Sequence, residues 1–187
     1  MSKFPSLGEN ANVPDILRMR PDAGVALMEL HEAVMRGPSA LSQGERELIA
    51  AQVSALNNCH YCYGMHAEAA MAHGVPEATI RGVLADIDSA DVRPALKPIL
   101  HYVRKITERA DGATEDDARA VYDADWDEQA LNDAIMVACC FNFMNRLLEG
   151  HGVEGNDAMF RERGPMVARH GYTPLIRMLD PARAKSA

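Results

Sequence analysis

Cys59, Cys62 and His66 stand three and four residues apart in the stretch NNCHYCYGMH, and Glu47 lies twelve residues ahead of the first thiol. Two thiols, an imidazole and a carboxylate within twenty residues are the parts of a redox cycle. A thiolate is the nucleophile in such chemistry, and a second thiol within reach traps the oxidised first one as a disulfide. A helix beginning just after Asn57 and Asn58, either of which can cap its free N–H groups, puts Cys59 in the first turn and Cys62 at its end. The spacings then align Cys59, Cys62 and His66 on one helical face. The positive end of a helix favours thiolate over thiol. His66 can serve Cys62 as a base or hold it as an ion pair.

The pattern Glu-x11-Cys-x-Tyr-Cys-x3-His, filled by Glu47, Cys59, Tyr61, Cys62 and His66, resembles the alkyl hydroperoxidase D (AhpD-like) branch of the carboxymuconolactone decarboxylase superfamily, and within it the peroxidase-related subgroup. The resemblance extends over roughly residues 15 to 175, because FNFMNRLLEGHGV is similar to the subgroup's long last core helix. It implies reduction of organic hydroperoxides without a cofactor or metal. Cys62 would attack the peroxide, Cys59 would resolve the product, and His66 and Glu47 would relay protons. The founding enzymes carry a second histidine where this chain has Tyr61, which makes Tyr61 the candidate for that proton-handling place. The resemblance also implies a homo-oligomer, a trimer or a hexamer of paired trimers, and an external dithiol reductant.

The elements that must position these residues can be read from local signals. An all-α fold is expected, a single domain over 1–187 with about 7–9 helices and the C-x-x-C at the start of a central one. Residues 1–20, broken by Pro5 and Pro14, read as an arm. Pro21 opens a helix that Gly37-Pro38 stops, and His31 within it reads as a half-exposed polar residue. Ser42 and Glu45 form a capping box for a helix to Leu56. One face of that helix carries Glu47, Ala50, Ala51, Ser54 and Asn58, small enough beyond the acid for the cysteine helix to lie over Glu47.

Pro76 opens the next helix, and a further one spans about 91 to 110, its start displaced or kinked by Pro98. Thr114 with Asp117 caps a short helix, and Asp127 opens a long apolar one in which Cys139 and Cys140 read as small buried hydrophobes. Asn142, Asn145 and Arg146, polar amid apolar residues, read as the border of a pocket or of a subunit interface, the interface being preferred. HGV at 73–75 and 151–153 puts Cys62 and Cys140 in register, a hint of an old hairpin duplication. Residues 155–187, interrupted by Pro165, Pro174 and Pro181, read as a C-terminal covering segment or an arm.

At 187 residues, 48% apolar but only 5% aromatic and with eleven methionines, the composition favours closely packed helices over sheets. A net charge of −8 without a Lys/Arg cluster argues against nucleic acid or an anionic membrane as partner. No long apolar run or signal-type N-terminus is present, so a cytoplasmic protein is expected. A small hydroperoxide substrate and an unidentified dithiol are the expected partners. Three other readings compete: thiol–disulfide exchange or redox sensing without peroxide turnover, a structural zinc site built from the same four side chains, and the superfamily's decarboxylase chemistry, which does not need paired cysteines.

Overall fold

The computed structural model describes residues 3–8 and 11–180; Pro181 and the last residues of the tail lie outside them. Among the described residues the chain is all-helical, with ten helices and no strand. Helix α3 (Gln43–Leu56) is the axis around which the others are laid: ten of its fourteen residues are buried, from Gly44 to Ser54. The Ser42 hydroxyl accepts from the Glu45 N–H at 3.2 Å and the Glu45 carboxylate accepts from the Ser42 N–H at 2.8 Å, the reciprocal box that fixes its start. Fully buried Leu48, Ile49 and Val53 each contribute on the order of 1.5–3 kcal/mol of hydrophobic stabilisation. Ala50, Ala51 and Ser54 bring α4 (His60–Ala72) close to it.

Helix α4 is held from its other side by α9 (Asp157–His170), and here two glycines set the distance. A Cβ on Gly64 would run into the Phe160 ring, and one on Gly164 into Glu68 and the Met65 carbonyl. The cysteine helix is thus pressed between α3 and α9. Helix α5 (Glu77–Ala85) lies against α3 and α4, and α6 (Leu96–Glu108) packs on α3, α7 (Glu115–Asp123) and the long α8 (Glu128–His151). Of the two readings for Pro98, the later start holds: α6 begins at Leu96, so the proline falls in its first turn and costs no internal hydrogen bond.

The expected arm contains a helix, α1 (Val13–Arg18), which buries Ile16 and Leu17 against α2 (Pro21–Arg36) and α10 (Thr173–Leu179). That burial outweighs the brevity of a six-residue helix. Within the C-terminal segment Pro165 does not interrupt; it lies inside α9. Pro165 and Arg161 are both exposed, so water can take the carbonyl that proline's missing N–H leaves open. Through residue 180 the segment covers its own chain, α9 on α4 and α10 on α2. The two HGV copies end α4 and α8 alike, with the Val75 and Val153 N–H groups returning to the Ala70 and Leu148 carbonyls.

Candidate functional site

The N-cap of α4 is Cys59 itself rather than an asparagine. Asn58 takes a left-handed conformation with φ 55°, and the Asn57 side chain turns away to donate to Asn145 at 2.9 Å and Asn142 at 3.1 Å. Cys59 therefore meets the positive helix end directly, with Cys62 one turn on. Both are free and buried, 1% and 3% exposed. The Cys62 S–H donates to the Cys59 sulfur; this bond holds the Cys59 thiol below its ordinary range, aided by the Cys62 backbone N–H and opposed by burial and Glu149. The same bond, together with burial and the neighbouring charge, pushes Cys62 well above its range, against the Asn145 amide beside it. Of the pair, Cys59 is therefore the more acidic thiol and Cys62 the less acidic, whereas the sequence pattern directs the thiolate to Cys62.

Glu47 lies beneath α4, with no exposure at all. The His66 Nδ1 meets one of its oxygens at 2.6 Å, and the Arg36 guanidinium donates to the other at 2.6 Å and to the Val167 carbonyl at 2.9 Å. Burial alone would raise the Glu47 carboxyl; His66 and Arg36 more than cancel it and hold the group below the usual carboxylate range. Because both oxygens are committed, Glu47 orients the His66 ring. No group of three or more His, Cys, Asp or Glu side chains among the described residues is arranged to hold a metal ion.

Cys62, Tyr61 and His66 line a cavity of about 390 Å³ whose remaining wall is mostly apolar, including Met28, Phe141, Met144, Leu148, Leu175 and Met178. Cys59 is not part of that wall. Tyr61 is 6% exposed, edge-on to Phe160 at 5.9 Å, and burial raises its phenol, with Arg163 nearby opposing. His66 stacks edge-on to Phe141 at 4.2 Å. His60 points outward and is exposed.

His31 is not half-exposed; it is 1% exposed and lines the same cavity. Its position between Met28 and Met35, at helical spacing on the apolar stripe of α2, carried that signal. Burial pushes the imidazole down to about 4. An unfolded histidine titrates near 6.5, so at neutral pH both states are uncharged. As pH falls from 6.5 towards 4 the unfolded chain binds a proton that the folded one refuses, and stability is lost, by up to about 3 kcal/mol. Urea unfolding at pH 7.5 and 4.5 will show this loss in the wild type, and His31→Phe will flatten the pH dependence by a comparable amount.

Two further residues, Arg36 and Tyr172, escaped the sequence, and Asn145 falls on the pocket side of its two readings. Arg36 gives no local signal, since its partner Glu47 is eleven positions away across a turn. Asn145 belongs to the site rather than to a surface: it is 1% exposed and donates to the Ser54 hydroxyl at 3.0 Å. Tyr172 comes from the far end of the chain to the cavity wall. Asn142 and Arg146 do border a surface groove between α6 and α8, with Cys139, which is exposed, and Phe143. Cys140 is buried, which raises its thiol to about 11 and leaves it unreactive.

A family model for the carboxymuconolactone decarboxylase family matches residues 21–105, the span that carries Arg36, Glu47, Cys59, Cys62 and His66. No curated protein matches. Among solved structures the chain is similar to an uncharacterized peroxidase-related protein from Silicibacter sp. TM1040, with TM-score 0.73 and 23% identity over 80% of this chain and 78% of that one. It is also similar to the AhpD core of an uncharacterized peroxidase-related protein from Ralstonia eutropha JMP134, with TM-score 0.72 and 26% identity over 80% and 78%. A third, ATU0492 from Agrobacterium tumefaciens, is a protein of unknown function whose name proposes an AhpD-type antioxidant defence role; its TM-score is 0.67 at 20% identity over 75% and 94%. Among the described residues no helix is long and apolar enough to cross a membrane.

Proposed function

We propose that this chain, whose residues 21–105 match the carboxymuconolactone decarboxylase family model and whose helical fold is similar to an AhpD core, is a thiol peroxidase that reduces organic hydroperoxides through Cys62 and Cys59. The observation that carries this reading is the placement of one thiol, Cys62, on an apolar cavity it shares with His66, while its hydrogen-bonded partner Cys59 stands outside that wall. A cavity of about 390 Å³ is more than ten times the share of a water molecule, ~30 Å³, so hydrogen peroxide would leave it largely unfilled. An organic peroxide fits it better.

The cycle balances with the groups present. As Cys62 attacks the terminal peroxide oxygen, its proton passes to the Cys59 thiolate, the O–O bond breaks, and Cys62 becomes a sulfenic acid. The departing alkoxide takes a proton from protonated His66, which Glu47 orients, and leaves as an alcohol. Cys59 then condenses with the sulfenic acid, forming the disulfide and releasing water. An external dithiol reduces the disulfide and is itself oxidised, and the proton that Cys59 sheds on returning to thiolate recharges His66. Tyr61, which also lines the cavity, steers the leaving oxygen in this reading.

The rival reading, thiol–disulfide exchange without peroxide turnover, draws support from a thiol held below its ordinary range at the helix N-cap. Free-thiol count and intact mass of reduced protein, before and after one equivalent of cumene hydroperoxide, separate the two. Loss of both motif thiols with a mass lower by two hydrogens is the expected result. Thiols that survive the peroxide but are readily oxidised by a small disulfide would replace the peroxidase with an exchange protein.

A further inference from the structure

Two polar atoms on residues that line the cavity play no part in this cycle. The Nδ1 of His31 lies 2.8 Å from the Leu27 carbonyl oxygen; an oxygen of that kind only accepts, so Nδ1 carries the ring proton and Nε2 presents a bare lone pair. That Nε2 and the Tyr172 hydroxyl are both buried and have no hydrogen-bond partner among the described residues. The two rings are neighbours, 5.3 Å between centroids, and both line the cavity. An unpaired buried polar group is costly, so two on neighbouring rings of a mostly apolar wall mark a place that a ligand completes. One atom accepts and the other donates.

We propose that His31 and Tyr172 form a subsite for a neutral hydroxyl carried by an otherwise apolar ligand, so that the cavity selects apolar hydroperoxides bearing a hydroxyl over purely hydrocarbon ones. The hydroxyl donates to His31 Nε2 and accepts from Tyr172. A carboxylate does not suit the place. It would face the imidazole lone pair, burial keeps the imidazole uncharged at neutral pH, and Arg36, whose guanidinium lies 5.8 Å from the Tyr172 ring centroid, is already held by Glu47. The apolar body of the ligand then lies against Met28, Met144, Leu148 and Met178. The hydroperoxide part of this assignment rests on the peroxidase reading; the hydroxyl subsite does not.

Unreactive probes of one shape test it: 2-phenyl-2-propanol and tert-butylbenzene differ only by hydroxyl against methyl. Their affinities for the reduced protein are measured by calorimetry in wild type, His31→Phe, Tyr172→Phe and Cys62→Ser. The wild type is expected to prefer the alcohol by roughly 3- to 10-fold. That preference should vanish in Tyr172→Phe and in His31→Phe and persist in Cys62→Ser. Tyr172→Phe removes one oxygen and keeps the ring, so it decides the matter even if His31→Phe fails to fold. Failure of the wild type to bind either probe, an equal affinity for both, a preference unchanged in Tyr172→Phe, or one lost in Cys62→Ser would overturn the subsite. Cumene hydroperoxide is assayed separately on the same preparations. A protein that shows the preference yet keeps its thiols sinks the peroxidase reading alone, and one that loses its thiols without the preference sinks the subsite alone.

Discussion

Cys62→Ser will leave hydroperoxide unconsumed, while Cys59→Ser will consume a single equivalent and stop at a sulfenic acid on Cys62 that a dimedone-type reagent labels. The contrast follows from the cavity: Cys62 is on its wall and Cys59 is not. Steady-state turnover with a dithiol present should fall by several orders of magnitude in both variants, since neither can close the disulfide. Stopped-flow peroxide consumption and the mass of the trapped adduct tell them apart. The order of acidity makes this a severe test, because Cys59 is the thiol held below its ordinary range and Cys62 the one pushed above it. If acidity decided the chemistry, the pattern would be reversed, with the sulfenic acid on Cys59. Access to substrate and acidity point to different sulfurs, and the proposed cycle reconciles them by letting Cys59 act first as base and then as resolving thiol.

The second large effect concerns Glu47→Gln. The carboxylate is wholly buried between His66 and Arg36, and the Arg36 side chain is itself only 9% exposed. Removing the negative charge strands a buried guanidinium, a change that costs roughly 3–5 kcal/mol when one partner of a buried pair is lost. For a chain of this size that lowers the midpoint of thermal unfolding by about 6–20 °C. Peroxide turnover should fall as well at a temperature where the variant remains folded, because the amide offers one acceptor oxygen where Glu47 offers two, and His66 must compete with Arg36 for it. A thermal midpoint within about 2 °C of the wild type would refute the claim that this triad is a stabilising centre of the fold. Full stability loss with unchanged turnover would confine Glu47 to a structural role.

How much of this was legible beforehand depends on the range of the interactions involved. Helices α2, α3 and α8 were bounded by local chemistry: Pro21 and Gly37-Pro38, the Ser42–Glu45 box, and Asp127, whose carboxylate accepts from the Ala130 N–H at 2.8 Å. Glu47 could be placed under α4 from the small residues that follow it on its face. Helix α1 could not, since six residues with a proline gain their helicity from burial against α2 and α10 and carry no periodicity of their own. The Arg36–Glu47 pair forms across a turn between two helices, where no helical period links its members, and Tyr172 arrives from the far end of the chain. His31 is the instructive middle case. Its chemistry argued for the surface, its register with Met28 and Met35 argued for the interior, and register was the better guide.

Helix α10 has a consequence for access to the site. It contributes Pro174, Leu175 and Met178 to the cavity wall, yet spans only seven residues and buries none of them. A segment with so small a share in the core opens at a free energy well below that of global unfolding, and seven residues hold little helix once undocked. The roof of the cavity is thus its own low-stability unit. Entry and exit of a ligand larger than water are then governed by a local folding equilibrium rather than by breathing of the core, and the ligand that docks there contributes to folding its own enclosure.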